Sequence, residues 1–399
     1  MQAKNWISII VSKRQWKPAN LRSWIIPVLG SVLMISSIAL KIASAQENRH
    51  QRIGSSVKNQ EGRFINSIPA MQPPIFKTLV EWVKGADHTT PDAPISVAHR
   101  SKSDFEVLPE SGLRITWLGH STTLVEIDGA RLLLDPMWSD RSSPFSFAGP
   151  KRFFEPPLAI EDLPPVDGVL ISHDHYDHLD KATIIKLAGL AAKFIVPLGV
   201  GAHLEKWGVS SQKIVELDWW QSIQLGHLKL SATPARHFSG RSIIMSDRDK
   251  SLWVGFAIQG PKHRVYYSGD SGMFEGFEEI GRKLGPFDAS LIEAGAYNQL
   301  WADLHLGPEQ AVQAAQQVRG GLFIPVHWGT FDLALHSWTE PVERLLLAAD
   351  KAGIKTVVPK PGQSVEPSSP PELVRWWPEI PWQTAEEHPI VSSGMESES

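Results

Sequence analysis

Residues 168–180 read Gly-Val-Leu-Ile-Ser-His-Asp-His-Tyr-Asp-His-Leu-Asp, and this stretch decides the fold. Its apolar start predicts a buried strand over Gly168–Ser172. Four side chains that can bind a metal follow at once: His173, His175, Asp177 and His178. In an extended loop, residues two apart point the same way, so His173 and His175 can share one metal. The chain then turns, and Asp177 and His178 can reach a second metal.

More candidate ligands stand at the ends of other predicted strands. Asp135 closes the strand Arg131–Leu134. The later strands 227–233, 264–268 and 322–326 are followed by His237, Asp270 and His327. Neutral imidazole suits zinc, and carboxylates lower the net charge of such a site. Because all these positions are strand ends, we expect them at one rim of the domain, where they form one site for two metals.

The composition limits which ligands such a site can use. The chain of 399 residues has 15 His and no Cys, so a metal must be held by His and carboxylates. The absence of Cys also excludes a disulfide scaffold, a thiolate-bound iron–sulfur cluster and a Cys nucleophile. With 42% apolar and 21% charged residues, the composition is that of an ordinary globular protein. A net charge of -4 gives no reason to expect a nucleic-acid partner.

The first 45 residues differ from the rest of the chain. They hold six basic residues and no acidic residue, whereas the remainder holds 33 basic and 43 acidic residues. An uncharged, mostly apolar run covers Trp24–Leu40, and Ala43-Ser44-Ala45 follows it. This pattern predicts that residues 1–45 are a signal peptide or an N-terminal membrane anchor, with a buried helix or a transit peptide as alternatives. A membrane-anchored or exported protein would carry its main domain outside the cytoplasm, in the periplasm if it is bacterial.

The remaining chain divides into three parts by its composition and its hydrophobic pattern. Residues 46–112 are polar, contain one predicted helix at Ile75–Lys84, and are expected to pack on the core as an extension. Residues 113–365 alternate short β-rich runs with helices, which predicts a layered α/β or α+β domain. Residues 366–399 form a Pro- and Trp-rich tail, whose end is expected to be mobile.

Turn signals and periodicity place the elements of residues 113–365. Strands are predicted at Leu113–Leu118, Thr122–Ile127, Arg131–Leu134, Gly168–Ser172, 193–197, 214–217, 227–233, 252–258, 264–268, 288–292 and 322–326. Asp180 is expected to cap a helix that runs to Leu190. Two further helices are predicted at 308–318 and 340–352.

The order of the candidate ligands along the chain resembles that of the metallo-β-lactamase superfamily, over most of the chain after the extension. Seven further blocks resemble its N-acylphosphatidylethanolamine-hydrolysing phospholipase D branch. They are Trp117-Leu118-Gly119-His120-Ser121-Thr122, Leu134-Asp135-Pro136, Gly149-Pro150-Lys151-Arg152, Val196-Pro197-Leu198-Gly199, Glu216-Leu217-Asp218-Trp219-Trp220, Gly295-Ala296-Tyr297 and His327-Trp328-Gly329-Thr330-Phe331. The resemblance implies a four-layer αββα sandwich with two zinc ions at one edge, and iron or manganese are the alternatives.

The same resemblance implies a role for each candidate ligand. The first zinc would be held by His173, His175 and His237. The second zinc would be held by Asp177, His178 and His327, and Asp270 would bridge both. Asp135 would lie behind the ligands and orient one of the His rings.

The resemblance also implies a phospholipid substrate in a membrane. N-acylphosphatidylethanolamine would be hydrolysed to phosphatidic acid and an N-acylethanolamine, by attack of a metal-bridging hydroxide on phosphorus. Asp177 and Asp270 would take part in catalysis through the metals. The alternatives are a related metal-dependent hydrolase of another ester, lactone or phosphodiester, and a non-catalytic zinc-binding envelope protein. A homodimer stays open, and the acidic body argues against a nucleic-acid partner.

For several further residues, the sequence allows either a functional or a structural role. His305 is either the general acid for the leaving alkoxide or a structural loop residue. His120 either orients a carboxylate of the site or makes a structural hydrogen bond. Tyr297, Lys151 and Arg152 either contact the lipid or serve the loops that carry them. Five aromatic residues before the His motif either line an acyl-chain entrance or pack under a loop: Trp138, Phe145, Phe147, Phe153 and Phe154.

One residue departs from the family pattern. Glu293 stands where an apolar residue or a proline would be unremarkable. This departure leaves the metal ligands intact and leaves the exact lipid open.

Overall fold

The computed structural model describes residues 47–395. The contacts of the backbone divide the chain into Met1–Asn48 and Arg49–Ser399, and the fold that follows belongs to the second unit. The predicted signal peptide or anchor at residues 1–45 lies outside the described residues. Within residues 47–395, no helix is both long enough and apolar enough to cross a bilayer.

The chain forms fifteen strands and seven helices within the described residues. The strands are β1 (Asn59–Gln60), β2 (Arg63–Phe64), β3 (Leu113–Gly119), β4 (Thr122–Ile127), β5 (Ala130–Leu134), β6 (Val166–Leu170), β7 (Ala191–Pro197), β8 (Ile214–Leu217), β9 (Ser222–Leu225), β10 (Leu228–Thr233), β11 (Gly255–Gln259), β12 (Arg264–Tyr267), β13 (Ala289–Glu293), β14 (Leu322–Val326) and β15 (Ser364–Val365). The helices are α1 (47–55), α2 (Ile75–Lys84), α3 (Lys181–Leu187), α4 (Gly201–Lys206), α5 (Gly276–Leu284), α6 (Pro308–Gln317) and α7 (Glu340–Ala352).

Two sheets form the centre of the fold. The first has seven strands in the order β15-β3-β4-β5-β6-β7-β8, and the second has six in the order β14-β13-β12-β11-β10-β9. Side chains from both sheets fill the core between them. On the outer faces, α3 and α4 pack on the first sheet, and α5, α6 and α7 pack on the second. These layers confirm the predicted four-layer αββα sandwich.

The alternation of side chains along each strand produces this layering, because neighbouring residues of a strand point to opposite faces of the sheet. In β7, Ile195 enters the core between the two sheets. Phe194 and Val196 enter the other core, beneath α3 and α4. Both faces of the strand are therefore apolar, as a sheet covered on both sides requires.

The strand directions bring the candidate ligands to one edge of the sandwich. β5 and β6 are parallel, and so are β12, β13 and β14. β10 has the same direction as β12, because both are antiparallel to β11. The residues that follow the ends of β5, β6, β10, β12 and β14 are Asp135, His173, His237, Asp270 and His327.

Some predicted boundaries differ from the structure. β6 ends at Leu170 rather than at Ser172, because Ser172 leaves the sheet and donates from its amide and hydroxyl groups to Asp135. Asp180 caps α3 as predicted, but the helix ends at Leu187 rather than at Leu190. The predicted strand 252–258 begins only at Gly255, as β11.

The sequence pattern does not reveal α5, because two of its nine residues are glycines. Gly281 has a packing reason, since a Cβ atom there would lie 2.0 Å from the carbonyl oxygen of Gln317. Glycine lowers the intrinsic helix propensity, so close packing against α6 has overridden the local signal here.

The extension and the tail both contribute to the core between the sheets. Phe64 is buried in this core, and Ile53 and Ile95 are partly buried against the core. From the tail, Trp377 is buried and its ring stands perpendicular to that of Trp328, with 5.8 Å between the ring centroids.

We expect the Trp377→Ala variant to lower the free energy of unfolding by about 3–5 kcal/mol, because it removes a large side chain from a packed core. The indole Nε1 also donates to Glu343 Oε1 at 2.7 Å. The Trp377→Phe variant keeps most of the packing and loses this hydrogen bond, so it should cost about 1–2 kcal/mol. Urea denaturation followed by circular dichroism measures both. Equal midpoints for Trp377→Ala and the unaltered protein would show that the tail adds nothing to stability.

Candidate metal centre

Three imidazole rings converge on one point of the edge. His173 Nε2 lies 2.8 Å from His175 Nδ1, and His237 Nε2 lies 3.2 Å from the same atom. The other nitrogen of two rings is occupied, because His237 Nδ1 donates to the carbonyl oxygen of Leu304 at 2.8 Å and His173 Nδ1 lies 3.0 Å from Ser172 Oγ. The three converging nitrogens therefore form a natural set of ligands for one cation.

A second group lies beside the first. It contains His120, Asp177, His178 and His327, whose candidate ligand atoms are all within 4.8 Å of one another. Asp177 Oδ2 is 3.4 Å from His178 Nε2 and 3.3 Å from His327 Nε2. It is 2.9 Å from His120 Nε2, which holds the carboxylate from one side.

Asp270 lies between the two groups. Its Oδ2 atom is 3.1 Å from both His178 Nε2 and His327 Nε2 in the second group. The same atom is 3.7 Å from His173 Nε2 and 3.8 Å from His237 Nε2 in the first group. This position suits a carboxylate that bridges two metals.

Asp135 stands behind the ligands and fixes one of them. It is fully buried, and it accepts from the Ser172 amide at 2.7 Å, from the Ser172 hydroxyl at 2.5 Å and from Tyr267 Oη. Its Oδ2 atom lies 2.7 Å from His178 Nδ1. This contact turns His178 Nε2 toward Asp270 and so presents the correct nitrogen to a metal.

Buried atoms without hydrogen bonds test whether a metal fits here. His178 Nε2, His327 Nε2 and Asp270 Oδ1 are buried and have no hydrogen-bond partner among the described residues. Such atoms cost free energy if nothing satisfies them, and a cation at their meeting point would do so. The donor set of imidazole and carboxylate suits zinc, and it also suits iron or manganese.

The electrostatics of the centre also favour a cation. Burial favours neutral imidazole at His178, but Asp270 and Asp177 outweigh it and raise the pKa of His178 well above its ordinary value. The same carboxylates overcome burial at His327 and raise its pKa to about 10. At His173, burial and the neighbouring His178 instead hold the pKa well below its ordinary value. The carboxylates thus favour positive charge at the centre. A divalent cation supplies this charge and displaces the protons from the His rings.

The backbone is strained at the same edge. His120, Asp135 and His327 have φ angles of 51°, 36° and 63°, in the left-handed region that non-glycine residues avoid. The His327 amide donates to the His120 carbonyl oxygen at 3.0 Å, so two of these strained residues hold each other. Strain of this kind persists where the surrounding packing enforces it, and it clusters at functional sites.

Comparisons with known proteins agree with this geometry. A family model described as a beta-lactamase superfamily domain matches residues 130–328. An uncharacterized protein of Mycobacterium tuberculosis is 45% identical over 365 residues, which cover 89% of this chain and 95% of that protein. The N-acyl-phosphatidylethanolamine-hydrolyzing phospholipase D 1 of Caenorhabditis elegans is 38% identical over 273 residues, which cover 65% of this chain and 76% of that enzyme.

The chain belongs to the metallo-β-lactamase superfamily. It is therefore a metal-dependent hydrolase, and a non-catalytic envelope protein is not supported. Among solved structures, the isothiocyanate hydrolase from Delia radicum gut bacteria shares the fold, with a TM-score of 0.52 and 19% identity. The match covers 63% of this chain and 98% of that one.

His305 lies at the centre and is paired with a residue that belongs to no predicted ligand set. His305 Nδ1 is 2.8 Å from Glu293 Oε2, and its ring stacks on that of His327 at 5.2 Å between centroids. Glu293 Oε1 accepts from the amides of Ser271 at 2.6 Å and Leu306 at 3.1 Å. Burial raises the pKa of the Glu293 carboxyl. The sequence signal for the Glu293–His305 pair is the carboxylate of Glu293 at the end of the apolar strand β13.

Three residues with a predicted lipid contact do not line the pocket at the metal centre. Tyr297 is fully buried, and its hydroxyl donates to Glu340 Oε1 at 2.9 Å. Arg152 is buried and donates to the Met137 carbonyl oxygen. Lys151 is exposed and borders a different cleft.

The pocket at the centre has a volume of about 300 Å³ and two unlike walls. One wall carries His175, Asp177, Asp270, His305 and His327. The other is mainly apolar and consists of Pro73, Thr78, Trp82, Phe238, Ala296, Trp301, Leu304 and Leu333. None of the five aromatic residues that precede the His motif lines this pocket. Instead, Trp82 from α2 stacks on Trp301 at 6.5 Å between centroids.

We expect the Asp135→Asn variant to weaken zinc binding about 10- to 100-fold, because the amide cannot accept from all the donors that face Asp135 and releases the orientation of His178. Competition with a chromophoric chelator measures the affinity. The Asp87→Asn variant, at an exposed site, is the control. An unchanged affinity in a folded Asp135→Asn protein would show that His178 does not depend on this carboxylate.

Proposed function

We propose that this chain is a zinc-dependent phosphodiesterase of the phospholipase D type. Its substrates would be phospholipids like N-acylphosphatidylethanolamine, and its products phosphatidic acid and N-acylethanolamine. One observation carries the proposal: the candidate ligands and a set of apolar side chains line the same pocket. The metal ligands suit a phosphodiester, and the apolar side chains suit an acyl chain. The similarity to the phospholipase D of Caenorhabditis elegans supports the same substrate class.

The two ligand groups would each hold one zinc ion, and Asp270 would bridge them. When bound, zinc supplies Lewis acidity, which lowers the pKa of water and offsets the charge of a phosphate. The protein's part is to hold the ligands in place before the substrate arrives. His120 holds Asp177, Asp135 holds His178, and the Leu304 carbonyl oxygen holds His237.

His305 is the residue that we infer to give a proton to the leaving alkoxide. Its Nδ1 atom is engaged by Glu293, so Nε2 is the nitrogen left for the substrate. Its ring borders the pocket and is 15% exposed, whereas the neighbouring rings of His237 and His327 are almost completely buried. Glu293 fixes the orientation of the ring through this contact, as a carboxylate behind a general acid does.

The apolar wall would select the lipid and exclude water. Trp82, Trp301 and Leu333 present mainly apolar surface, which packs well against hydrocarbon. A substrate would therefore enter with its phosphodiester toward Asp177 and Asp270 and its acyl chain along this wall. A hydrolase for small polar esters has no need of such a wall.

Lipid hydrolysis by the purified protein tests the proposal directly. We expect turnover of N-acylphosphatidylethanolamine to be lost after chelation and restored by zinc. In ¹⁸O-labelled water the label should enter phosphatidic acid and not N-acylethanolamine, because attack falls on phosphorus. Mass spectrometry reads both products. Phosphatidylcholine and a lactone serve as alternative substrates, and turnover of the lactone alone would overturn the proposal.

The Asp177→Ala/His178→Ala double variant provides the matching loss of function. We expect it to abolish turnover, because it removes two ligands of one metal, while circular dichroism shows that most of the fold remains. Turnover at the level of the unaltered protein would contradict the metal centre.

Substitution of His305 separates its two readings. As a general acid, it should lose about 10²- to 10⁴-fold in kcat in the His305→Ala variant, with little change in KM. The Glu293→Gln variant keeps an acceptor for Ser271 and Leu306 and should lower kcat less. His227→Ala, at an exposed position, is the control. An unaffected kcat in His305→Ala would leave His305 with a structural role.

A further inference from the structure

The helix α2 has its apolar side turned away from the protein. None of its residues is buried. Ile75, Phe76 and Val83 are 83%, 80% and 81% exposed, and Leu79 is 60% exposed. These four positions fall on one stripe of an α-helix. An ordinary surface helix turns such a stripe toward the core, so this arrangement is inverted.

Part of the other side of α2 faces the protein, whereas Lys77 and Lys84 are exposed. Thr78 lines the pocket of the metal centre, and Glu81 is less exposed than the four apolar residues of the stripe. Trp82 also lines the pocket and anchors the helix by stacking on Trp301. These contacts attach the helix to the protein through Thr78 and Trp82. The apolar stripe therefore points outward on a helix that is already packed on the protein.

A second apolar element lies in a loop that contacts the segment before this helix. Ile243 and Ile244 at the tip of the loop after β10 are 71% and 84% exposed, and Met245 is 48% exposed. Arg248 at the end of this loop donates to Gln72 Oε1 at 2.5 Å, directly before α2. We call the helix stripe and the loop tip together the apolar rim: Ile75, Phe76, Leu79, Val83, Ile243, Ile244 and Met245.

The helix that carries the apolar stripe also lines the catalytic pocket. Pro73, Thr78 and Trp82 belong to the same segment as the stripe and share a pocket with Asp177 and His305. A lipid that leaves a surface in contact with the stripe would therefore enter the pocket beside the same helix. Large exposed apolar patches are uncommon on proteins that act in solution and mark contact surfaces.

We propose that the apolar rim inserts into the interfacial layer of a glycerophospholipid bilayer and docks the pocket on the membrane. This proposal rests on the proposed function, since the substrate is a lipid of that bilayer. An apolar helix face beside cationic side chains is the pattern of interfacial membrane helices. Lys77 and Lys84 supply the cations, and both are exposed. A second copy of the chain on the rim would instead cover the opening through which substrate must pass.

The absence of Cys makes a site-specific test possible, because one introduced thiol is then unique. The full chain carrying Phe76→Cys or Ile244→Cys is labelled with an environment-sensitive fluorophore. It is mixed with phosphatidylcholine vesicles, with or without phosphatidylglycerol and a nitroxide-bearing lipid. The matched control is Val107→Cys, which is 74% exposed and lies outside the rim.

We expect the emission at positions 76 and 244 to shift to the blue on vesicles and to be quenched by the nitroxide lipid, with no change at position 107. Labels at 76 and 244 that stay in water while the chain is bound to vesicles would overturn the proposal. A blue shift without vesicles that follows protein concentration would also overturn it, because it would assign the rim to a second copy.

Turnover distinguishes a failure of docking from a failure of the proposed function. The Phe76→Ser/Val83→Ser variant should lose at least about tenfold in turnover of vesicle lipid, since two large apolar groups no longer insert. It should keep its rate on a short-chain, monomeric phosphodiester of the same headgroup. Embedded labels without any lipid turnover would remove the proposed function and leave the docking surface in place. An equal loss on both substrates would overturn the role of the rim in delivery.

Discussion

The edge of the sandwich depends on one buried carboxylate. Asp135 follows β5 of the first sheet, and it accepts from Ser172 after β6 and from Tyr267 of β12 in the second sheet. It also contacts His178 in the ligand loop. Burying such a group without partners would cost several kcal/mol, so its donors are a condition for the fold as well as for the site. Because Asp135 ties both sheets together, ligands from either sheet can meet around Asp270.

The charge of the centre follows from this crowding. Asp177, Asp270 and Glu293 each lie within 4 Å of His327. Asp270 and Glu293 are buried, and Asp177 is only slightly exposed. Without a metal, protons on His178 and His327 compensate for the carboxylates. A divalent cation takes over that role and releases those protons, so metal binding and proton release are linked in this fold.

The features that the sequence predicts best are those that depend on residues close together in the chain. The helix Ile75–Lys84 has its predicted bounds, because its periodicity lies within ten residues. The loop after β6 likewise carries its ligands in one short stretch. Contacts between residues that are far apart in the sequence cannot be predicted in this way. Nothing local in His305 names Glu293 as its partner, and nothing in the turn around Tyr297 shows that its hydroxyl is buried against Glu340. The outward stripe of the helix is hidden for the same reason, since periodicity defines a stripe but not the side that faces the protein.

Ligands and pocket walls come from different parts of the chain, and this separation bears on specificity. The seven predicted ligands all lie within residues 130–328, which the superfamily model matches, and they stand at the ends of packed strands or in the loops that follow. The apolar wall also draws on Pro73, Thr78 and Trp82 before that region and on Leu333 after it. A change in the wall can alter which substrate fits without moving a ligand, whereas a change at the strand ends disturbs both sheets. Relatives with the same ligands can therefore act on different substrates. For this chain, the substrate has to be decided by the wall and the apolar rim rather than by the metal ligands.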